Sequence, residues 1–303
     1  MEYDRQGFAT AADGTRLYYG LRGSGPIGVV LNDGIGCDGW IWERVQPELA
    51  EHHRVLHWHY RGHGRSGAPR DRAHIDIATL ADDMARVMDA ASMRDGVLIG
   101  HSMGVQVSLE AIRAHRDRVR ALVLVCGAYG RPTTTFHGSD TLDTVLPALL
   151  SLVRRHPGVA RAVFSRVPAK LAFRIARLSG EIDVDTLREE DFVLYIEHLA
   201  RIEPDLFFGM LEKAGQHTAE DLLPSIDVPT LVVSGEKDTF TPPTLSHHMS
   251  DMVPGAEHFE LRGASHAAPA EQPVSLCLRI EKFLRERVEQ REEAPPAAER
   301  SAS

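Results

Sequence analysis

Short apolar runs alternate along this chain with amphipathic stretches of helical period. Ile27 to Asn32, Arg54 to Tyr60, Gly96 to Gly100, Ala121 to Cys126 and Pro229 to Ser234 read as buried strands. Their near-continuous apolar character predicts strands covered on both faces, as in a mostly parallel sheet. Arg16 to Arg22 instead alternates in the manner of an edge strand. Between the runs lie helical patterns. Leu80 to Ala90 sets Leu80, Met84, Val87 and Met88 on one face, and Val274 to Val288 does the same with Leu276, Ile280, Phe283 and Leu284. This β-then-α order predicts an α/β fold, a doubly wound and mostly parallel sheet.

The alternation stops between about Arg131 and Pro224. That stretch contains helical patterns and no convincing strand. One helix is expected from Asp185 to Ala200, opened by Thr186-Leu187-Arg188-Glu189 with capping-box spacing. The expected organisation is therefore a core made of 1–130 and 225–290, with 131–224 inserted as a helical lid. Residues 291–303 are polar and proline-rich and are expected to be disordered.

Composition narrows the function classes. The chain has 303 residues, 43% hydrophobic and 25% charged, which suits a soluble domain with a sizeable core. A net charge of −9 argues against nucleic acid as a partner, since such proteins present basic surfaces. No apolar run is long enough to span a membrane, and Met1-Glu2-Tyr3-Asp4-Arg5 does not open a secretory signal. Cys37, Cys126 and Cys277 are odd in number and far apart, so neither a disulfide framework nor a zinc site is expected, and a cytoplasmic location fits.

The chemistry centres on Gly100-His101-Ser102-Met103-Gly104, placed between an apolar strand and a helical stretch from Val105 to His115. G-x-S-x-G in that setting puts a serine on a sharp turn, its hydroxyl lifted above the strand end. A serine hydroxyl needs a base, and the base an orienting acid. Asp238 follows the strand Thr230-Leu231-Val232-Val233 and so sits past a strand's C-terminal end, where α/β active sites assemble. His266 lies in the small-residue loop Gly263-Ala264-Ser265-His266-Ala267. Taken singly, Asp238 is equally well read as a turn cap, and His266 as one of 16 histidines. Taken together with Ser102, in the order Ser, Asp, His, they predict a catalytic triad. An oxyanion needs two N–H donors. Met103, the residue after the serine, is one candidate, and Ile35, in the loop Asn32-Asp33-Gly34-Ile35-Gly36, is the other.

From about Phe8 to Val288 the chain resembles the α/β-hydrolase fold superfamily, in its serine esterase and lipase-like branch. Asp33-Gly34-Ile35 resembles the family's oxyanion loop. Tyr60-Arg61-Gly62-His63-Gly64-Arg65-Ser66 is similar to its Asp-Arg-Gly-His-Gly-x-Ser turn, with Tyr60 in place of the aspartate. Gly100 to Gly104 matches the nucleophile elbow, and Val228-Pro229-Thr230-Leu231 through Asp238 the acid-bearing segment. Relatives often carry His before the loop glycine. Here it is Asp33, which is expected to bond nearby backbone amides or to disfavour anionic substrates.

The resemblance implies hydrolysis of a small-molecule carboxylic ester through an acyl-enzyme, with no cofactor and no metal. Thioester, lactone, amide or carbon–carbon bond cleavage uses the same residues, as does a small-ligand receptor with slow chemistry. Ser102 argues against epoxide hydrolase and dehalogenase chemistry, which use an aspartate nucleophile. Glu197, Glu203 and Asp205 are candidates for binding a substrate amine. Between Ser151 and Gly180 stand Arg154, Arg155, Arg161, Arg166, Lys170, Arg174 and Arg177 with no carboxylate, which predicts an amphipathic lid helix with a solvated basic face, Val167, Leu171, Ile175 and Leu178 forming its apolar stripe. Trp40, Trp42 and Trp58 line the pocket or belong to the core, the commoner fate.

Overall fold

A computed structural model describes residues 1–135, 138–166, 168, 170, 173–174, 187 and 189–290. Eight strands form one sheet: β1 (Arg5–Thr10), β2 (Arg16–Arg22), β3 (Gly28–Asn32), β4 (Arg54–Trp58), β5 (Gly96–His101), β6 (Val119–Val125), β7 (Thr230–Gly235) and β8 (Glu257–Leu261). Their spatial order is β1-β2-β4-β3-β5-β6-β7-β8. The β1–β2 and β2–β4 pairs are antiparallel, and all later pairs are parallel. Parallel neighbours need crossover helices, which cover both faces.

Ten helices are assigned among the described residues: α1 (Val45–Ala50), α2 (Ile77–Ala90), α3 (Met103–Ala114), α4 (Thr141–Arg155), α5 (Pro157–Phe164), α6 (Glu189–Leu199), α7 (Pro204–Gln216), α8 (Pro243–Met252), α9 (Ala268–Glu271) and α10 (Pro273–Leu284). The sheet's two faces give two apolar layers. Leu80, Met84, Val87 and Met88 of α2 pack with Val105 and Leu109 of α3 against Val30, Leu98 and Leu122. On the other face Val45 and Leu49 of α1 pack with Leu276, Ile280 and Phe283 of α10 against Val29, Val97 and Val123. Asp76 caps α2 by accepting the Thr79 amide, so the helix begins before the Leu80 start that periodicity suggests.

Two strands depart from the expectation. Arg16–Arg22 is not an edge, because β1 covers it and buries the five residues from Leu17 to Leu21. At the other edge, β8 reads Glu-His-Phe-Glu-Leu and is only half-buried, so it lacks an apolar signature.

The inserted helices α4, α5, α6 and α7 lie between β6 and β7 in the chain. The helix expected from Asp185 is seen as α6, and its predicted opening falls partly outside the described residues. Much of the predicted basic helix also lies outside them, including Val167, Leu171, Ile175, Arg177 and Leu178, as does the tail 291–303. Arg154, Arg155, Arg161, Arg166, Lys170 and Arg174 are all exposed.

Candidate active site

Ser102 stands between β5 and α3 with φ 55° and ψ −120°, a backbone state that non-glycine residues rarely adopt. Its amide donates to Val125 C=O (3.1 Å), and its carbonyl accepts the Val105 amide (3.0 Å). The flanking glycines are required by contact. A Cβ on Gly100 would lie 2.3 Å from the Gly104 carbonyl oxygen, and one on Gly104 would lie 2.2 Å from that of Asn32. The strained turn is therefore held by two close backbone approaches that no other residue permits.

His266 reaches this serine from the loop after β8. Its Nε2 is 3.0 Å from Ser102 Oγ, and its Nδ1 is 2.9 Å from Asp238 Oδ2. A carboxylate only accepts, so Nδ1 carries the proton and Nε2 is left to accept from the serine hydroxyl. Phe240 stacks on the imidazole at 4.9 Å. Asp238 is buried and takes further bonds from the Phe240 and Thr241 amides (2.9 Å each) and from Thr241 Oγ1 (2.9 Å). Burial alone would raise its carboxyl. The His266 charge and the bonds from His266 and Thr241 outweigh that and hold it below the usual carboxylate range.

The loop carrying His266 is clamped from below. Glu271, at the end of α9, accepts from the Ser265 amide (2.7 Å) and the Ser265 hydroxyl (2.5 Å). Lys237 N–H donates to Ala264 C=O (2.8 Å), tying this loop to the one bearing Asp238. His101 Nε2–H donates to the His266 carbonyl (2.9 Å). Burial, and then the charge of His266, push His101 down to about 3, so it stays neutral and keeps that bond.

The loop after β3 brings Ile35 to the serine. A Cβ on Gly34 would lie 3.1 Å from Ser102 Cβ, which shows how closely the chain passes. Met103 opens α3, so its amide has no acceptor within the helix. Asp33 corrects an expectation. Its carboxylate is fully buried, away from the mouth, and Oδ2 lies 3.0 Å from His57 Nε2 rather than on backbone amides. His57 Nδ1 is in turn 2.7 Å from the Tyr3 hydroxyl. Tyr60, the substituted position of the arginine-glycine turn, donates its O–H to Asp33 C=O (2.7 Å). His63 accepts the Gly36 amide on Nε2 (3.2 Å) and donates from Nδ1 to Arg61 C=O (3.2 Å). Arg61 is buried and makes a two-pronged pair with Asp83 at 2.7 Å each. That turn thus braces the loop bearing Ile35.

Above these groups is a cavity of about 270 Å³, lined by Ile35, Ser102, Met103, His266 and, among others, Leu142, Leu211, Tyr195, Phe207, Phe240 and Gln106. Among the described residues that line it there is no carboxylate, lysine or arginine. Glu203 and Asp205 instead pair with Arg72 at the surface, and Glu197 is exposed. Trp42 and Trp58 are core residues, Trp58 donating to Asn32 Oδ1 (2.9 Å). Trp40 lies beside Tyr195, its Nε1 on Cys37 Sγ (3.1 Å). The signal that could have marked Gln106 is its spacing, one helical turn after Ser102 on the same face of α3. Nothing local marked the partners of His57 or Glu271, which are fixed by the fold.

The sheet order, the strained serine turn and the loops converging on it define a hydrolase of the α/β class. The model for the alpha/beta hydrolase fold matches residues 28–273, and the chain belongs to that family. Among proteins of similar sequence is RutD of Azorhizobium caulinodans, named for carbamate hydrolysis, 30% identical over 85% of this chain and 90% of that protein. Among solved structures, the enol-lactonase of Burkholderia xenovorans LB400 superposes with a TM-score of 0.73 at 25% identity, covering 92% of this chain and 100% of its own. A thermophilic esterase of Thermogutta terrifontis gives a TM-score of 0.72 at 26% identity, covering 93% and 98%. Among the described residues no helix is long and apolar enough to cross a membrane.

Proposed function

We propose that this chain is a serine hydrolase that cleaves carboxylic esters through an acyl-enzyme. One observation carries the reading: a single imidazole, His266, lies within hydrogen-bond reach of both Ser102 Oγ (3.0 Å) and Asp238 Oδ2 (2.9 Å). Ser102 Oγ attacks the ester carbonyl carbon while His266 Nε2 takes its proton. The carbonyl electron pair moves to oxygen, which the Ile35 and Met103 amides stabilise. As the tetrahedral intermediate collapses, the carbon–oxygen bond to the alcohol breaks and His266 returns the proton to the leaving oxygen. Water then attacks the acyl carbon, giving its proton to His266, and as the Ser102 ester bond breaks His266 Nε2 returns that proton to Ser102 Oγ and the acid is released. Asp238, kept ionised, orients the imidazole and stabilises its charged form.

The helices of 131–224 serve as a lid, supplying Tyr195, Phe207 and Leu211 to the cavity roof. The substrate is small and mostly apolar, in keeping with the cavity volume. A second reading, lactone or carbamate cleavage by the same residues, rests on the names of the lactonase and carbamate hydrolase relatives. A cytoplasmic setting is in keeping with three unpaired, buried cysteines. Ser102→Ala tests the scheme in steady-state hydrolysis of simple aryl esters. A loss of kcat of about 10⁴-fold or more is expected. Retention of a tenth of the activity, an effect of about 1.4 kcal/mol, contradicts it.

A further inference from the structure

One group on the cavity wall has no role in that scheme. Gln106 lies on α3, one turn beyond Ser102, is 1% exposed, and lines the cavity. Its Nε2 donates to Ala214 C=O (2.9 Å) and to His217 Nδ1 (3.2 Å). A carbonyl oxygen only accepts, so the atom facing Ala214 is the nitrogen and the amide cannot be turned over. His217 is held in the matching tautomer because its Nε2–H donates to Glu110 (3.0 Å), one turn further along α3. That bond, with burial opposing it and the Arg113 guanidinium assisting, keeps the Glu110 carboxyl below its usual range. Both Gln106 N–H groups are thus committed, and Oε1 is left buried with no hydrogen-bond partner among the described residues. A buried acceptor left unpaired is costly, and here the bonds of Nε2 to Ala214 and His217 fix it in that state.

We infer that Gln106 Oε1 is a specificity site for an uncharged N–H or O–H donor on the substrate, within a turn's length of the scissile carbonyl. The surrounding wall supplies apolar groups such as Met103, Leu211 and Ala214. An ammonium group would bring a charge that no carboxylate among the described residues of this wall balances, so the donor is an amide, carbamate or hydroxyl. The proposal rests on the serine hydrolase reading and refines its substrate class. A substrate with a donor at this point satisfies Oε1, whereas its hydrocarbon isostere leaves Oε1 dry and unpaired.

The test is a pair of isosteres on each side of the ester. On the acyl side these are the para-nitrophenyl ester of N-acetyl-β-alanine and its analogue with the amide N–H replaced by methylene. On the alcohol side they are the butanoate ester of N-acetylethanolamine and its methylene analogue. Rates are divided by those of alkaline hydrolysis. The donor member of at least one pair is expected to have a kcat/KM about tenfold higher. In Gln106→Met that ratio is expected to fall to about one, and because it compares two substrates in one variant, it does not depend on how much protein folds. Equal normalised rates in both pairs, with turnover abolished by Ser102→Ala, overturn the inference and leave the hydrolase reading standing. A preference that persists in Gln106→Met also overturns it. Failure to turn over any of the four esters counts against the hydrolase reading and takes this inference with it.

Discussion

The strand-end site and the helices laid over it are held by different forces. At the strand ends, several ionised or polar groups are buried and held by multiple hydrogen bonds. Asp238 accepts four bonds, Glu271 clamps Ser265 twice, and Arg61 and Asp83 are two-pronged partners with side chains 1% and 2% exposed. Among the described residues of the inserted helices, the ionic ties lie nearer the surface. Arg72 meets Glu203 and Asp205 at the surface, Arg44 meets Asp191 (2.6 Å), and Arg161 bonds the carbonyls of Arg201 and Ile202. Val159 and Val163 of α5 remain 65% exposed. Surface ion pairs contribute only about 0–1 kcal/mol each, while breaking a buried pair costs several. The lesson is a division of labour. Positional accuracy resides in the core loops, and the helices shape the cavity without fixing the reacting atoms.

That contrast can be broken most severely at the acid. Asp238→Asn leaves the fold's contacts nearly intact yet removes the acceptor that sets the His266 tautomer. It is expected to lower kcat about 10⁴-fold with little change in KM, measured by steady-state kinetics. Asp83→Ala comes next, because it leaves the buried Arg61 guanidinium with only the longer Asp13 contact (3.3 Å) and the His74 carbonyl (2.7 Å). A loss of about 3–5 kcal/mol in urea unfolding is expected.

Acid sharpens the same contrast. His101 is held down to about 3, whereas the unfolded chain binds its proton at about 6.5. The unfolded state therefore gains protons first, and stability is lost as pH falls from about 7.5 toward 3. At pH 5 this one group accounts for about 2 kcal/mol. His59 and His63, also lowered chiefly by burial, act in the same direction. Unfolding curves at pH 7.5 and pH 5 measure the sum, and His101→Gln is expected to flatten the difference by about 2 kcal/mol. Smallest is Arg72→Ala, in the loop between β4 and α2 that meets the helices through Glu203 and Asp205, with at most about 1 kcal/mol lost and kcat within about twofold of the parent.

The same division governs how much the sequence revealed. Strands β3, β5, β6 and β7 are apolar runs buried on both sides, and burial on both sides is what makes a run continuous. Ser102, Asp238 and His266 were legible because each sits beside such a strand or a glycine-rich turn. β1 and β8 were not, since five of the six residues of β1 and four of the five of β8 escape full burial and so carry polar groups. Asp33 was misread because its partner, His57, comes from a neighbouring strand brought alongside only by the parallel pairing of β3 with β4. Gln106 stayed hidden for a similar reason. The groups that orient it, Ala214 and His217, come from α7 and the residue beyond it, more than a hundred positions later.

The central claim is that Ser102 becomes acylated because one imidazole joins it to Asp238. Intact-protein mass spectrometry during turnover of a slowly released aryl ester, followed by peptide mapping, tests it most directly. The account predicts a mass increase equal to the acyl group, located on Ser102 and absent from Ser102→Ala. Sustained turnover with the adduct on another residue, or equal turnover and labelling in Ser102→Ala, would contradict it.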